Sequence, residues 1–298
     1  SKLGSRTGEW SAVWQRFAEN PTRYPNIPEL LDQARPSVVP LFGDADPHPD
    51  SWPSWNRDQE EALRIALGAL AADPDPRRRI VELVAAHSAR EDNVWAALGQ
   101  APLARAAGHL AELAGRVLAA STATDLKAQV AWYRDEGHAI DDLALRAIAS
   151  TKTAQDGAAV STALSALYDP WVDESARSFQ IAATTDYPGQ IGLDVDTGTA
   201  VVYVDALRFD LASRVTRRLS PLVVSVETRL AAFPSVTPTG QPAVAPIAIA
   251  VGGGTAFDAA DDLGRSLKGV VLRSALMSAG VQFLEWDAAQ VGDPTGKA

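Results

Sequence analysis

The chain contains no cysteine, and Met277 is its only methionine. Without thiols there is neither a disulfide framework nor a thiolate metal site, and a reducing cytoplasm is the compartment this suggests. No run approaches eighteen consecutive apolar residues, so nothing reads as membrane-spanning. The opening Ser-Lys-Leu-Gly-Ser-Arg has no apolar core behind it and is not a signal peptide. A basic excess is also missing: the formal net charge is -10, which removes any general attraction to nucleic acid but leaves room for a local basic groove. What remains is an ordinary globular composition, 46% hydrophobic and 21% charged over 298 residues, enough for two domains or one large one.

Charge divides the chain. From residue 200 onward there are nine Lys/Arg and nine Asp/Glu, so the whole -10 lies before it. Seven of the eight tryptophans lie at or before Trp171. The first part has helical spacing of Leu, Ile, Val and Ala over 61–71, 78–86, 101–120 and 126–149. Thr122 with Asp125, and Thr153 with Asp156, have capping-box spacing and predict helix starts. The second part changes period. Ala-Val-Val-Tyr-Val at 200–204 and the segments 222–226 and 281–285 predict strands, and 209–219 and 263–279 predict helices, an alternation that implies an α/β layer structure. The predicted organisation is a mostly helical domain over 1–185, a linker over 186–197, and an α/β domain with a mainly parallel sheet over 198–298.

Asp205 directly follows the 200–204 strand, where α/β sheets place their ligands, so its carboxylate is well placed for a metal or a phosphate. The same Asp also reads as a cap for the helix starting near Phe209. Thr237 lies in Phe-Pro-Ser-Val-Thr-Pro-Thr-Gly at 233–240. A divalent metal would activate its hydroxyl by lowering its pKa. Alternatively this is a Pro-rich turn with Thr237 or Thr239 as N-cap.

Together the two motifs are more specific. A strand ending in Val204-Asp-Ala-Leu-Arg-Phe-Asp210, then a helix, a strand and Pro-Ser-Val-Thr-Pro-Thr-Gly, resembles the PglZ family of the alkaline-phosphatase superfamily, which takes part in bacteriophage exclusion and phage-growth limitation. Trp95-Ala-Ala-Leu-Gly99 and Tyr168-Asp-Pro-Trp171 are similar to the region preceding the PglZ domain. The resemblance implies an alkaline-phosphatase-like fold, Asp205 as a metal ligand, and Thr237 as the metal-bound nucleophile. It further implies two divalent ions, zinc first, and hydrolysis of phosphodiesters, nucleic acid among them. The implied partners are other defence proteins, such as a methyltransferase or an ATPase.

The superfamily's remaining Asp and His ligands lie downstream of the nucleophile. Here the histidines are His48, His87, His109 and His138, all upstream. Position 1 is not Met, and 292–298 reads as a turn with no closing element behind it. The chain is therefore expected to be the N-terminal region plus the first part of a PglZ domain, inactive by itself. The alternative is a non-catalytic module that docks other defence proteins through the acidic helical part, its tryptophans serving as anchors or as core. Several features read as structural. Arg208 and Asp210 suit a salt bridge better than a phosphate clamp. The Arg77–Arg79 run suits a solvated helix start. Gly137-His138 lies on a helix face or at a helix break. Neither Gly252-Gly-Gly254 nor the 292–297 segment has P-loop spacing.

Overall fold

The computed structural model describes residues 2–34, 47–120, 123–187, 195–196, 198–219, 221–222, 225–246, 252–253, 257–261 and 263–283. It divides into two units, Ser1–Thr184 and Thr185–Ala298.

The first unit is helical: α1 (Trp10–Glu19), α2 (Ile27–Gln33), α3 (Pro53–Gly68), α4 (Pro76–His87), α5 (Val94–Ala97), α6 (Pro102–Leu118), α7 (Leu126–Trp132), α8 (His138–Ser150), α9 (Ala154–Leu167) and α10 (Asp169–Asp186). The starts follow local chemistry. Asp75, Asn93, Asp125 and Thr153 each turn a side-chain oxygen onto an otherwise orphaned amide of the first turn. At 125 the Asp is itself the cap, where the pattern had suggested Thr122, which lies outside the described residues. Helix α6 has no side-chain cap of its own. Glu60 of α3 replaces it, accepting from Leu103 N at 2.7 Å and Ala104 N at 3.3 Å.

Helix α6 buries Leu103, Ala106, Ala107, Leu110, Leu113, Ala114 and Val117, one stripe at three- and four-residue steps. That stripe joins Leu63 and Leu67 of α3, Ile80 of α4, Ile140 and Ala147 of α8, and Val160 of α9 in the main core. A second cluster gathers Trp14, Phe17, Leu31, Trp52, Val94 and Trp95. Trp14, Trp52, Trp95 and Trp171 are thus core residues, whereas Trp10 is 42% exposed. Between α7 and α8 the helix widens into one π turn, Tyr133–Gly137. Gly137 is required there, because a Cβ would stand 2.5 Å from the Trp132 ring.

The second unit holds α11 (Phe209–Arg218), α12 (Thr237–Ala243), β1 (Gly252–Gly253), β2 (Ala259–Ala260) and α13 (Gly269–Ser278). A small cluster of Ala245, Leu272 and Leu276 packs α13. The mainly parallel sheet predicted for 198–298 is not found among the described residues. There the ladder is one antiparallel pair, Gly252 with Ala260 and Gly253 with Ala259, extended by an Ala260–Ser266 bridge. Residues 200–204 are irregular, and Val201, Val202, Tyr203 and Val204 are 44%, 84%, 43% and 53% exposed. The reason is that β-branched composition suits a residue to a ladder, but a strand exists only when a neighbour takes its amides and carbonyls. The described parts of 222–226 and 281–285 form no strand either. The predicted helix over 263–279 is shortened because Asp261 accepts from Leu263 N and Arg265 N, drawing its first residues into a turn.

Candidate functional site

Asp205 and Thr237 belong to this second unit and meet. The Thr237 hydroxyl donates to Asp205 Oδ2 at 3.1 Å and to Oδ1 at 3.3 Å. Both residues are exposed. Thr237 is the first residue of α12, whose N-cap is Val236 with no side-chain bond. The Thr237 oxygen is therefore not a cap. Thr239 bonds back to Pro234 O and Val236 O, closing the turn that leads into the helix. Nor does Asp205 cap α11, since that position is Arg208.

Two further groups fix the Asp205 carboxylate. Oδ1 accepts from the Tyr203 hydroxyl at 3.1 Å and from Ala206 N at 2.9 Å. Ala206 itself adopts a left-handed backbone, φ 54. A residue with a Cβ pays for that conformation, and such outliers gather at functional sites. Burial, then the bond to Asp205, pushes the Tyr203 hydroxyl pKa up, so Tyr203 remains a donor at neutral pH. Tyr203 was not singled out from the sequence. The available signal was its two-residue spacing from Asp205, which puts both side chains on one side of an extended backbone.

The pair suits two adjacent ligand positions of one cation. With metal–oxygen distances of about 2.0–2.2 Å, oxygens at neighbouring tetrahedral positions lie roughly 3.3–3.6 Å apart, so the 3.1 Å pair would have to open slightly to admit an ion. It is not a whole coordination shell, which takes about four ligands for zinc. Among the described residues no group of three or more His, Cys, Asp or Glu comes together. The four histidines all lie in the first unit. His87 Nδ1 faces Arg90 Nη1 at 3.3 Å, and His138 Nδ1 faces Tyr133 O at 3.2 Å in the π turn.

Arg208 pairs with Asp210 at 3.0 Å. Asp210 is fully buried, and its Oδ2 has no hydrogen-bond partner among the described residues. Arg78 and Arg79 both turn to Glu82, at 2.8 Å and 3.5 Å, in the first turns of α4. Gly252 and Gly253 lie in the small ladder, while Gly254 and 292–297 fall outside the described residues. No helix of the described residues is long and apolar enough to cross a membrane. The chain matches no protein-family model, no curated protein and no solved structure.

Proposed function

We propose that the second unit carries the nucleophile and one metal ligand of a PglZ-like phosphohydrolase acting on phosphodiesters in antiphage defence. The observation that carries this reading is the Thr237–Asp205 hydrogen bond: residues 32 apart in sequence bring a hydroxyl and a carboxylate together on an exposed surface. In this reading Thr237 Oγ1, its proton lost to solvent, would attack phosphorus as the bond to one ester oxygen breaks and that alcohol departs. Water would then release the phosphoryl group from Thr237. The Asp205 carboxylate would orient the attacking oxygen and take a cation position beside it. Divalent ions, zinc first, supply stabilisation of the alkoxide and of the developing phosphoryl charge when bound. Two oxygen donors are too few for that centre and no larger ligand group comes together among the described residues, so in this reading further ligands are needed and the 298-residue chain would be inactive by itself. Its parallel sheet, cytoplasmic location and defence partners belong to the same proposal.

The test is hydrolysis of a chromogenic phosphodiester with added zinc or manganese, by this chain and by a longer protein containing it. Activity in the longer protein that disappears in Thr237→Ala supports the reading. Unchanged turnover in that variant overturns it.

A second reading, a docking module for a methyltransferase or ATPase of the same defence system, draws on α1, where Trp10 and Val13 are each 42% exposed at three-residue spacing. Pull-down with those proteins should weaken in Trp10→Ala. Equal capture by both forms would rule α1 out as the contact.

A further inference from the structure

The Asp205 carboxylate is held asymmetrically. Oδ1 takes bonds from Tyr203 and Ala206, at 3.1 Å and 2.9 Å, and only a longer 3.3 Å contact from Thr237. Oδ2 has its shortest contact, 3.1 Å, with the Thr237 hydroxyl. A carboxylate with two rotatable torsions and an exposed surface position would otherwise sample many orientations. Two donors on one oxygen remove that freedom and determine which oxygen faces Thr237.

We propose that Tyr203 is a positioning residue: its hydroxyl, acting with the Ala206 amide, orients Asp205 so that Oδ2 is presented to Thr237. Three features of the chain support it. Tyr203 and Asp205 are two residues apart, which is the spacing that puts side chains on one side of an extended segment. The Tyr203 hydroxyl donates to Asp205 Oδ1 at 3.1 Å. The third feature is the Ala206 amide, which donates to the same oxygen at 2.9 Å. Backbone and side chain thus converge on one atom. Tyr203 touches no reacting group. Its effect passes through Asp205, and its consequence for turnover rests on the phosphohydrolase reading above.

The experiment uses the full 298-residue chain with methyl-labelled threonine. The Thr237 methyl resonance, identified by its loss in Thr237→Ala, is compared in Tyr203→Phe, Asp205→Asn and Tyr187→Phe. Tyr203→Phe keeps the ring and removes only the hydroxyl, so a shift reports the hydrogen bond and not a ring current. Tyr187→Phe removes a different phenol bond in the same unit, to Ala231 O, and serves as the control. Tyr203→Phe and Asp205→Asn should both move the Thr237 resonance, Tyr187→Phe should not, and the melting temperature of Tyr203→Phe should stay at that of the unaltered chain. A Thr237 resonance unmoved by Tyr203→Phe overturns the proposal.

Manganese binding, followed by calorimetry on the same chains, adds a readout that a purely structural role would not move. Loss of a residue supporting a metal ligand costs about 10–100-fold in affinity, and Tyr203→Phe should fall in that range. Unchanged affinity in a chain that does bind manganese also counts against positioning. Where the unaltered chain binds no manganese, as two donors without further ligands would give, the methyl resonance alone decides the role of Tyr203.

Discussion

The Thr237 hydroxyl donates to the Asp205 carboxylate across 32 residues of sequence, with its shorter contact to Oδ2, while Oδ1 is engaged by Tyr203 and Ala206. Neither residue caps its neighbouring helix, and the two face each other.

On the phosphohydrolase proposal, removing either member should affect chemistry without affecting the fold. Both side chains are exposed, so Thr237→Ala and Asp205→Asn should leave the melting temperature within about 2 °C, as surface substitutions do. In a longer, active protein, turnover of the phosphodiester should drop below detection in Thr237→Ala. Parallel melting curves and initial rates check both parts.

Ala206 offers a second test. Its left-handed backbone costs about 1–2 kcal/mol relative to an ordinary conformation, whereas glycine adopts it freely but loses roughly 0.5–1 kcal/mol more chain entropy on folding. Ala206→Gly should be close to neutral in urea unfolding, and the β-branched Ala206→Val should destabilise by about 1–3 kcal/mol.

The helical unit depends on a charge pair that is almost wholly buried. Arg90 donates to Glu60 at 2.5 Å and to Asn56 Oδ1 at 2.9 Å, with side-chain exposures of 2% for Arg90 and 10% for Glu60. Arg90→Leu leaves Glu60 charged without its partner and should cost about 3–5 kcal/mol in urea unfolding. The double change Arg90→Leu with Glu60→Leu should cost less than the sum of the single ones. It should not reach neutrality, because α6 then loses its cap, worth about 1 kcal/mol.

Acid should weaken the same unit. Burial, then Arg90, lowers the His87 pKa, and burial, then Arg146, lowers that of His109. With folded-state values below the ordinary 6.5, the unfolded chain takes up protons first as pH falls. The stability associated with the neutral rings is whole above about pH 6.5 and is lost as pH drops below it. Protonated His87 could also no longer accept from Arg90. Melting temperature should fall between about pH 7 and pH 5, and the fall should shrink in a His87→Gln, His109→Gln variant.

The π turn gives the last prediction. At Gly137 an added Cβ would lie 2.5 Å from Trp132 Cζ3, and Trp132 packs edge-to-face on Trp171 at 6.4 Å. Gly137→Ala should cost about 1–3 kcal/mol by displacing that ring, with a change in the near-ultraviolet dichroism of the tryptophans.

Much of the helical unit was legible because its determinants are local. The apolar stripe of α6 repeats within single turns, and the cap of α9 is Thr153 acting on the amide of Asp156, three residues on. The π turn was less so: the helical period runs through Gly137-His138, and one extra residue in a turn leaves little trace in it. Asp205 and Thr237 were legible as motifs, each with a structural alternative that neither adopted. Tyr203 was within reach of the two-residue period but carried no motif, and the left-handed Ala206 had no signal at all, since composition would have put glycine there.

The amino-acid sequence by itself determined where the charge lies, which segments coil and where four of those helices, α4, α5, α7 and α9, begin. These depend on side chains and amides within about four residues of one another. Tertiary structure alone decided that Glu60 caps α6 from 43 residues away, that Thr237 meets Asp205, and that residues 200–204 remain without a ladder among the described residues. Those outcomes turn on the arrival of a distant partner. A carboxylate or a strand edge carries the capacity to bond, but the neighbour that takes the bond is chosen only when the chain folds.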